Sequence, residues 1–320
     1  MTIGYPTIKL SNGVEMPILG LGTWQSSPEE VKNAAKEAIK AGYRLIDTAM
    51  IYGNETQIGE ALKECIAEGI VKREDMFITT KNWVTHLHPE DIEGSLRESL
   101  KRLQLDFVDL YLSHAPTARK KDLSGQDHTL KVEENWKGME AVYRAGLTRA
   151  IGVSNYSTSQ IERVMKIAEV PIHNQQIELH LYWPQIEQHE TCKKHNISLT
   201  SFSTLGSPGR KTWVRPDGSV SNYDDNVPAD MDDPFVQELA KKYNKSPAHI
   251  LLRWAIERNI AVIPKSVTLS RIRDNFNVFD FKLTDDEMKK LNNPLHKHRL
   301  FMNEPMTGHP EDSLVEERKK

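Results

Sequence analysis

The chain has 320 residues, and its 42 lysines and arginines stand against 45 aspartates and glutamates, for a formal charge of −3. Such a balance gives no electrostatic reason to expect nucleic acid or an anionic membrane as partner. Cys65 and Cys192 are its two cysteines, far apart and in no metal or redox spacing. No apolar run reaches the ~18 residues of a membrane span, and "MTIGYPTIKL" has no signal-peptide core, so a cytoplasmic protein is expected.

In chain order the first element is a hairpin over 8–16, "IKLSNGVEM", turned at Asn12-Gly13. A β-like run follows at 17–23, then "SPEE" at 27–30. Ser27 can cap a helix there, Pro28 suits its first turn and Glu30 can close the capping box. Val31, Ala34, Ala35, Ala38 and Ile39 repeat on one face of that helix. Further apolar runs stand at 44–49, 76–81, 107–114, 149–155, 173–179, 198–204 and 260–266. Helices are expected from near Pro89, Glu133, Ser157, Pro184 and Pro247, and "TDDE" at 284–287 repeats the capping logic.

Strand-like runs alternating with helices imply parallel pairing through crossovers. Eight such units fit a (β/α)8 TIM barrel, read as one domain over 1–320, with the hairpin plugging its N-terminal mouth. An open doubly wound sheet is the rival, but no GxGxxG follows the first strand. The polar, turn-rich interval 206–233 reads as a long loop over a ligand. The tail 295–320 has no clear period; it is either disordered or packed across a barrel mouth.

Several runs end in residues capable of chemistry: Asp47, Lys81, His114, Ser154 with Asn155, Gln176, Glu178, and Lys265 with Ser266. Singly, a strand-end Asp more often caps a helix and a lone His more often serves structure. In a barrel, however, strand exits converge on the face where active sites sit. Asp47 and Lys81, leaving neighbouring strands at the same height, can pair. Tyr52 lies on the loop beyond Asp47, and a nearby ammonium lowers the pKa of a phenol from its ordinary value of about 10. His114 can orient the oxygen that receives the proton, which completes a general acid with an electrophilic helper.

The stretch 42–62, "GYRLIDTAMIYGNETQIGEAL", resembles the first signature of the aldo-keto reductases. "GLGTW" (20–24), "TTKNW" (79–83), "DLYLSHAP" (109–116), "IGVSN" (151–155), "QIELH" (176–180) and "IPKSVTLSRIRDNF" (263–276) are similar to further blocks of that family, in order. The resemblance implies an NADPH-dependent oxidoreductase that reduces small-molecule aldehydes and ketones, acting as a monomer. Its catalytic residues are Tyr52 as proton donor, Lys81 with Asp47 to lower the phenol's pKa, and His114 to orient the carbonyl. By the same likeness Thr23 and Trp24 flank the cofactor, Ser154, Asn155 and Gln176 hold the carboxamide, and Phe202 stacks on the nicotinamide. Ser203, Leu205 and Ser207 meet the pyrophosphate. Lys265, Ser266, Val267, Thr268 and Arg271 meet the adenosine 2′-phosphate, with Asn275 at the adenine. The loop 206–233 becomes a cofactor cover.

Trp24, Ile51, Trp83, His114, Ala115 and Phe301 are the implied substrate wall. Ala115 stands where many relatives carry an aromatic, and it is expected to open the pocket. No third or fourth ligand accompanies "HLH" (86–88) or "HKH" (296–298), so no metal is expected. Some relatives act as cofactor-binding auxiliary or structural proteins with little turnover, which is the alternative function. A barrel enzyme of another class, such as an isomerase, would need no nicotinamide.

Overall fold

The computed structural model describes residues 6–212 and 227–319. Strands β1 (Thr7–Lys9) and β2 (Glu15–Pro17) form the N-terminal hairpin. Ile8, Leu10 and Met16 bury into the main core from it. The amide of Asn12 donates 2.9 Å to the carbonyl of Arg149, just before a barrel strand begins, so the hairpin lies at the N-terminal mouth.

The barrel units are β3 (Leu21–Gly22) with α1 (Pro28–Ala41), β4 (Leu45–Asp47) with α2 (Glu55–Ala67), β5 (Phe77–Asn82) with α3 (Pro89–Leu103), and then β6 (Leu110–Ser113). A short hairpin, β7 (Ala118–Arg119) and β8 (Gln126–Asp127), precedes α4 (Val132–Arg144). Next come β9 (Ile151–Ser154) with α5 (Thr158–Ile167), β10 (Asn174–Glu178) with α6 (Ile186–Lys194), and β11 (Ser198–Phe202). Helices α7 (Pro234–Tyr243) and α8 (Pro247–Glu257) lead to β12 (Ile260–Val262), followed by α9 (Leu269–Phe276) and α10 (Asp285–Leu291).

The eight-stranded sheet runs β3-β4-β5-β6-β9-β10-β11-β12, and every pair in it is parallel. It closes on itself where Leu19 bridges Val262 and Gly22 bridges Lys265. Gly20 N donates 2.8 Å to Val262 O, and Val262 N donates 2.8 Å to Ile18 O. Gly22 is required at this seam, because a Cβ there would lie 2.4 Å from the Ile263 carbonyl oxygen. With helices outside and side chains inside, the strands are buried on both faces, which is why they read as apolar runs rather than as alternations.

The expected start of α1 is borne out: Ser27 and Glu30 form the capping box, and the five expected apolar residues are the buried ones. Ser157 with Gln160 and Thr284 with Glu287 cap α5 and α10 in the same way. Three details add to the expectations. Helix α2 follows Tyr52, with Ile58, Ala61, Leu62 and Cys65 buried at helical spacing. Helix α6 starts two residues past Pro184, after Gln185 turns at φ 50°. Between β6 and α4, β7 and β8 pair as a short antiparallel hairpin. Of the interval 206–233, residues 213–226 lie outside the described residues.

The tail packs across the C-terminal mouth. Gln126 Nε2 donates to the carbonyls of Pro305 and Thr307, and Gln160 Nε2 donates to the carbonyl of Glu311. Glu311 also pairs with Arg163 at 2.8 Å. No helix among the described residues is long and apolar enough to cross a membrane.

Candidate active site

Strand register brings the chemistry together. Asp47 on β4 pairs with Thr79 on β5, so Lys81 stands two residues further along the same face. The two side chains therefore leave at different heights, not at the equal height expected from the sequence. The long lysine chain reaches back and sets its Nζ 2.6 Å from Asp47 Oδ1 and 2.9 Å from the Thr48 carbonyl. Lys81 is fully enclosed and Asp47 nearly so. A 3₁₀ turn over Met50–Tyr52 then carries the Tyr52 hydroxyl to 3.4 Å from that Nζ. The second Asp47 oxygen accepts from Gln176 Nε2 at 2.7 Å, a bond that crosses the barrel from β10. The ring of His114, one residue past β6, lies edge-on to Tyr52 at 5.8 Å and to Trp83 at 5.1 Å.

Burial alone would strip the charge from Lys81, but Asp47 and Tyr52 outweigh it, and its pKa is raised. The site keeps a cation. The Tyr52 phenol departs from expectation. Burial raises its pKa more than Lys81 lowers it, and the Asp47 carboxylate adds to the rise. At neutral pH Tyr52 is a protonated phenol, with a cation placed against the oxygen that would carry charge after its proton leaves. Burial and the Lys81 charge hold the His114 pKa well below the usual value, so its ring is neutral. His114 Nδ1 is buried without a hydrogen-bond partner among the described residues.

The residues expected at the cofactor stand just past β3, at the ends of β9 and β11, on β10, and from Lys265 into α9. Asn155, Ser203 and Ser207 each hold a positive φ, at 62°, 60° and 45°. Backbone of this kind is costly for non-glycine residues and concentrates where a ligand must be met. Asn155 Nδ2 donates to the His114 carbonyl at 2.9 Å and to Ser154 Oγ at 3.1 Å, which joins β9 to the catalytic strand end. Ser266 Oγ accepts from the amide of Thr268, the N-cap of α9, at 3.1 Å. Lys265, Thr268 and Arg271 are exposed around it, Val267 is half-buried and Asn275 is buried. Leu205 is half-buried against the core, and Thr23 Oγ1 donates 2.9 Å to the Asp47 carbonyl.

Phe301 of the tail sits edge-on to both Trp24 (5.7 Å) and Phe202 (6.0 Å), which assembles one aromatic wall. Ile51 is 48% exposed beside Tyr52. Ala115 is 3% exposed, and Val84, Trp83 and Met306 of the tail pack around it. The tail thus supplies a neighbour to this small side chain. A separate surface cavity, among Lys245, His249, Phe276 and Asp280, is formed by none of these residues.

The sequence profile of the Aldo/keto reductase family matches residues 18–294. The chain belongs to the aldo/keto reductase family. It is 44% identical over 305 residues to aldo-keto reductase family 1 member A1 of Sus scrofa, covering 92% of this chain and 90% of that one. The Gallus gallus protein of the same name is 43% identical over 298 residues, covering 90% and 88%. Among solved structures, the aldose reductase of Schistosoma japonicum superposes with a TM-score of 0.88 at 37% identity, covering 98% of this chain and 99% of that one. The Bombyx mori aldo-keto reductase AKR2E4, solved in complex with NADP, gives 0.87 at 37%, covering 97% and 99%.

Two supports of this reductase site escaped the reading of the sequence. Asn54, fully buried, accepts from Thr48 Oγ1 and donates to the Thr23 carbonyl, both at 2.9 Å, and so ties the loop bearing Tyr52 to β3. Glu55 accepts from Thr80 Oγ1 at 2.6 Å and pairs with Arg102 at 2.7 Å, which anchors α2 beneath that loop. "YGNE" (52–55) carried the signal, since a polar pair directly after a strand-exit tyrosine needs partners when it is buried.

Proposed function

We propose that this reductase converts aldehydes and ketones to alcohols with NADPH as hydride donor and Tyr52 as general acid. The observation that carries the reading is Lys81 Nζ, kept charged by Asp47 at 2.6 Å and placed 3.4 Å from the Tyr52 hydroxyl. When bound, NADPH supplies the hydride to the carbonyl carbon. Negative charge then develops on the carbonyl oxygen, and Tyr52 delivers its proton there. Lys81 stabilises the phenolate left behind, and Asp47 holds the ammonium in place. His114 is neutral and its Nδ1 is enclosed without a partner, so we assign its proton to Nε2, as the donor that orients the carbonyl.

The residues fit the cofactor. Gln176 already gives its amide nitrogen to Asp47, which leaves its Oε1 to accept from a carboxamide. Ser154 and Asn155 stand on the adjoining strand end, and Phe202 offers a ring face. Ser203, Leu205 and Ser207 lie on the left-handed turns after β11, where backbone amides can meet phosphate. Lys265 and Arg271, with Ser266 and Thr268 beside the start of α9, suit a phosphate dianion and so favour NADPH over NADH.

The test is Tyr52→Phe, assayed by loss of NADPH absorbance with a simple aromatic aldehyde. Removing a general acid lowers turnover by about 10²- to 10⁴-fold, while NADPH affinity is expected to hold. Full activity in Tyr52→Phe would refute the assignment. Tight NADPH binding by the wild type with no turnover of any carbonyl would favour the auxiliary role instead.

A further inference from the structure

Glu178, at the end of β10, takes no part in the mechanism above, yet its carboxylate is fully buried. A buried carboxylate survives only where partners compensate it. Those partners come from two directions. From the tail, the backbone amides of Leu300 and Phe301 both donate to it, the latter at 3.1 Å, and Arg299 Nη1 lies 3.3 Å away. From its own strand end, His180 Nε2 faces it at 3.1 Å. The opposite ring nitrogen, Nδ1, faces Asp230 Oδ2 at 3.0 Å, and the same oxygen accepts from Leu181 N at 2.9 Å. With a carboxylate at each nitrogen, the imidazole must donate twice and is therefore a cation. Three carboxylates, Glu178, Asp230 and Glu317, thus gather around two cations, His180 and Arg299, with Arg299 bridging Glu178 to Glu317.

Its geometry joins two functional parts. Asp230 packs on Gly206, where an added Cβ would meet its carboxylate at 3.1 Å, so both ends of the segment 206–230 meet at this side chain. Phe301, fixed through its amide, presents its ring to Trp24 and Phe202. We propose that Glu178, His180 and Asp230 form a single buried clamp that locks the tail wall of the substrate pocket to the Gly206 turn after β11. They are then positioning residues that set the affinity for bulky carbonyl substrates. The kinetic part rests on the reductase reading above; the mechanical part does not.

The experiment therefore measures both. Among the described residues Asp230 hydrogen-bonds by its side chain to His180 and Leu181, not to the tail. In a clamp, Asp230→Asn should nevertheless speed hydrogen exchange at the Leu300 and Phe301 amides about tenfold, within the coupling range of groups in one network. It should raise KM for a bulky aromatic ketone by a similar factor, with kcat and the KM for propanal unchanged. Exchange at 300–301 that stays at the wild-type rate overturns the clamp, as does an equal rise of KM for both substrates. Should Asp230→Asn not fold, Arg299→Gln at the rim tests the reverse direction. Coupling is reciprocal, so faster exchange of the Leu181 amide supports the clamp and an unchanged rate overturns it. If the wild type reduces neither substrate, the reductase reading fails, while the exchange data still decide the clamp.

Discussion

Replacing Lys81 with methionine keeps the bulk of the side chain but removes a cation 2.6 Å from Asp47 and 3.4 Å from the Tyr52 hydroxyl. Two losses follow. Asp47 is left as a buried carboxylate with Gln176 as its remaining side-chain donor, and breaking a buried pair from one side costs about 3–5 kcal/mol of stability. The second loss is catalytic. At 3.4 Å and an effective dielectric near 20, the ammonium stabilises a phenolate by about 5 kcal/mol. Asp47 offsets part of this, because its charge acts on Tyr52 in the opposite sense. A net 3–4 kcal/mol corresponds to a fall in kcat of about 10²- to 10³-fold at 1.36 kcal/mol per decade. The assay is NADPH consumption at saturating cofactor, run beside urea midpoints. The double variant Asp47→Asn/Lys81→Met separates the two losses. With no lone charge left, its stability should largely return, while turnover stays as low as in Lys81→Met. A Lys81→Met enzyme with more than a third of wild-type kcat, or a double variant that regains activity, would refute the electrostatic argument.

Arg271→Ala should weaken NADPH binding by about 10- to 100-fold, the worth of one charge-assisted hydrogen bond, and leave NADH binding unchanged in fluorescence titrations. Gly22→Ala should destabilise the barrel by roughly 1–3 kcal/mol or more, since its Cβ would drive against the Ile263 carbonyl at the seam, and calorimetry reads this as a lower Tm. His180 sets a pH dependence. Burial would lower its pKa, but Asp230 and Glu178 push it up to about 9; Arg299, paired with both Glu178 and Glu317, is the cluster's other cation. The folded value exceeds the unfolded value of about 6.5, so the stabilisation is complete below pH ~6.5 and is lost as pH rises toward 9, about 3 kcal/mol in all. Denaturant midpoints between pH 6 and 9.5 should fall accordingly in the wild type and should lose this component in His180→Gln.

Much of this molecule was legible from local pattern. Most barrel strands read as apolar runs because they are buried on both faces, and the starts of α1, α5 and α10 carry capping boxes that neighbouring residues complete. The hairpin needed only Asn12-Gly13 and its flanks. Asp47, Tyr52, Lys81 and His114 stood out because polar groups at strand exits must converge once the sheet closes. These features depend on short-range chemistry and on a fixed topology, so the sequence by itself determined them.

Distance and competition were decided elsewhere. Whether Tyr52 is made more or less acidic depends on how desolvation weighs against Lys81 and Asp47, and no spacing records that balance. The stagger that puts Lys81 two residues beyond Asp47's partner, the Asp47–Gln176 bond across the mouth and the packing of Met306 against Ala115 join residues far apart in the chain. So does the tail's anchorage on Glu178. Such contacts are fixed by which surfaces the closed barrel presses together, and only the tertiary structure sets that geometry.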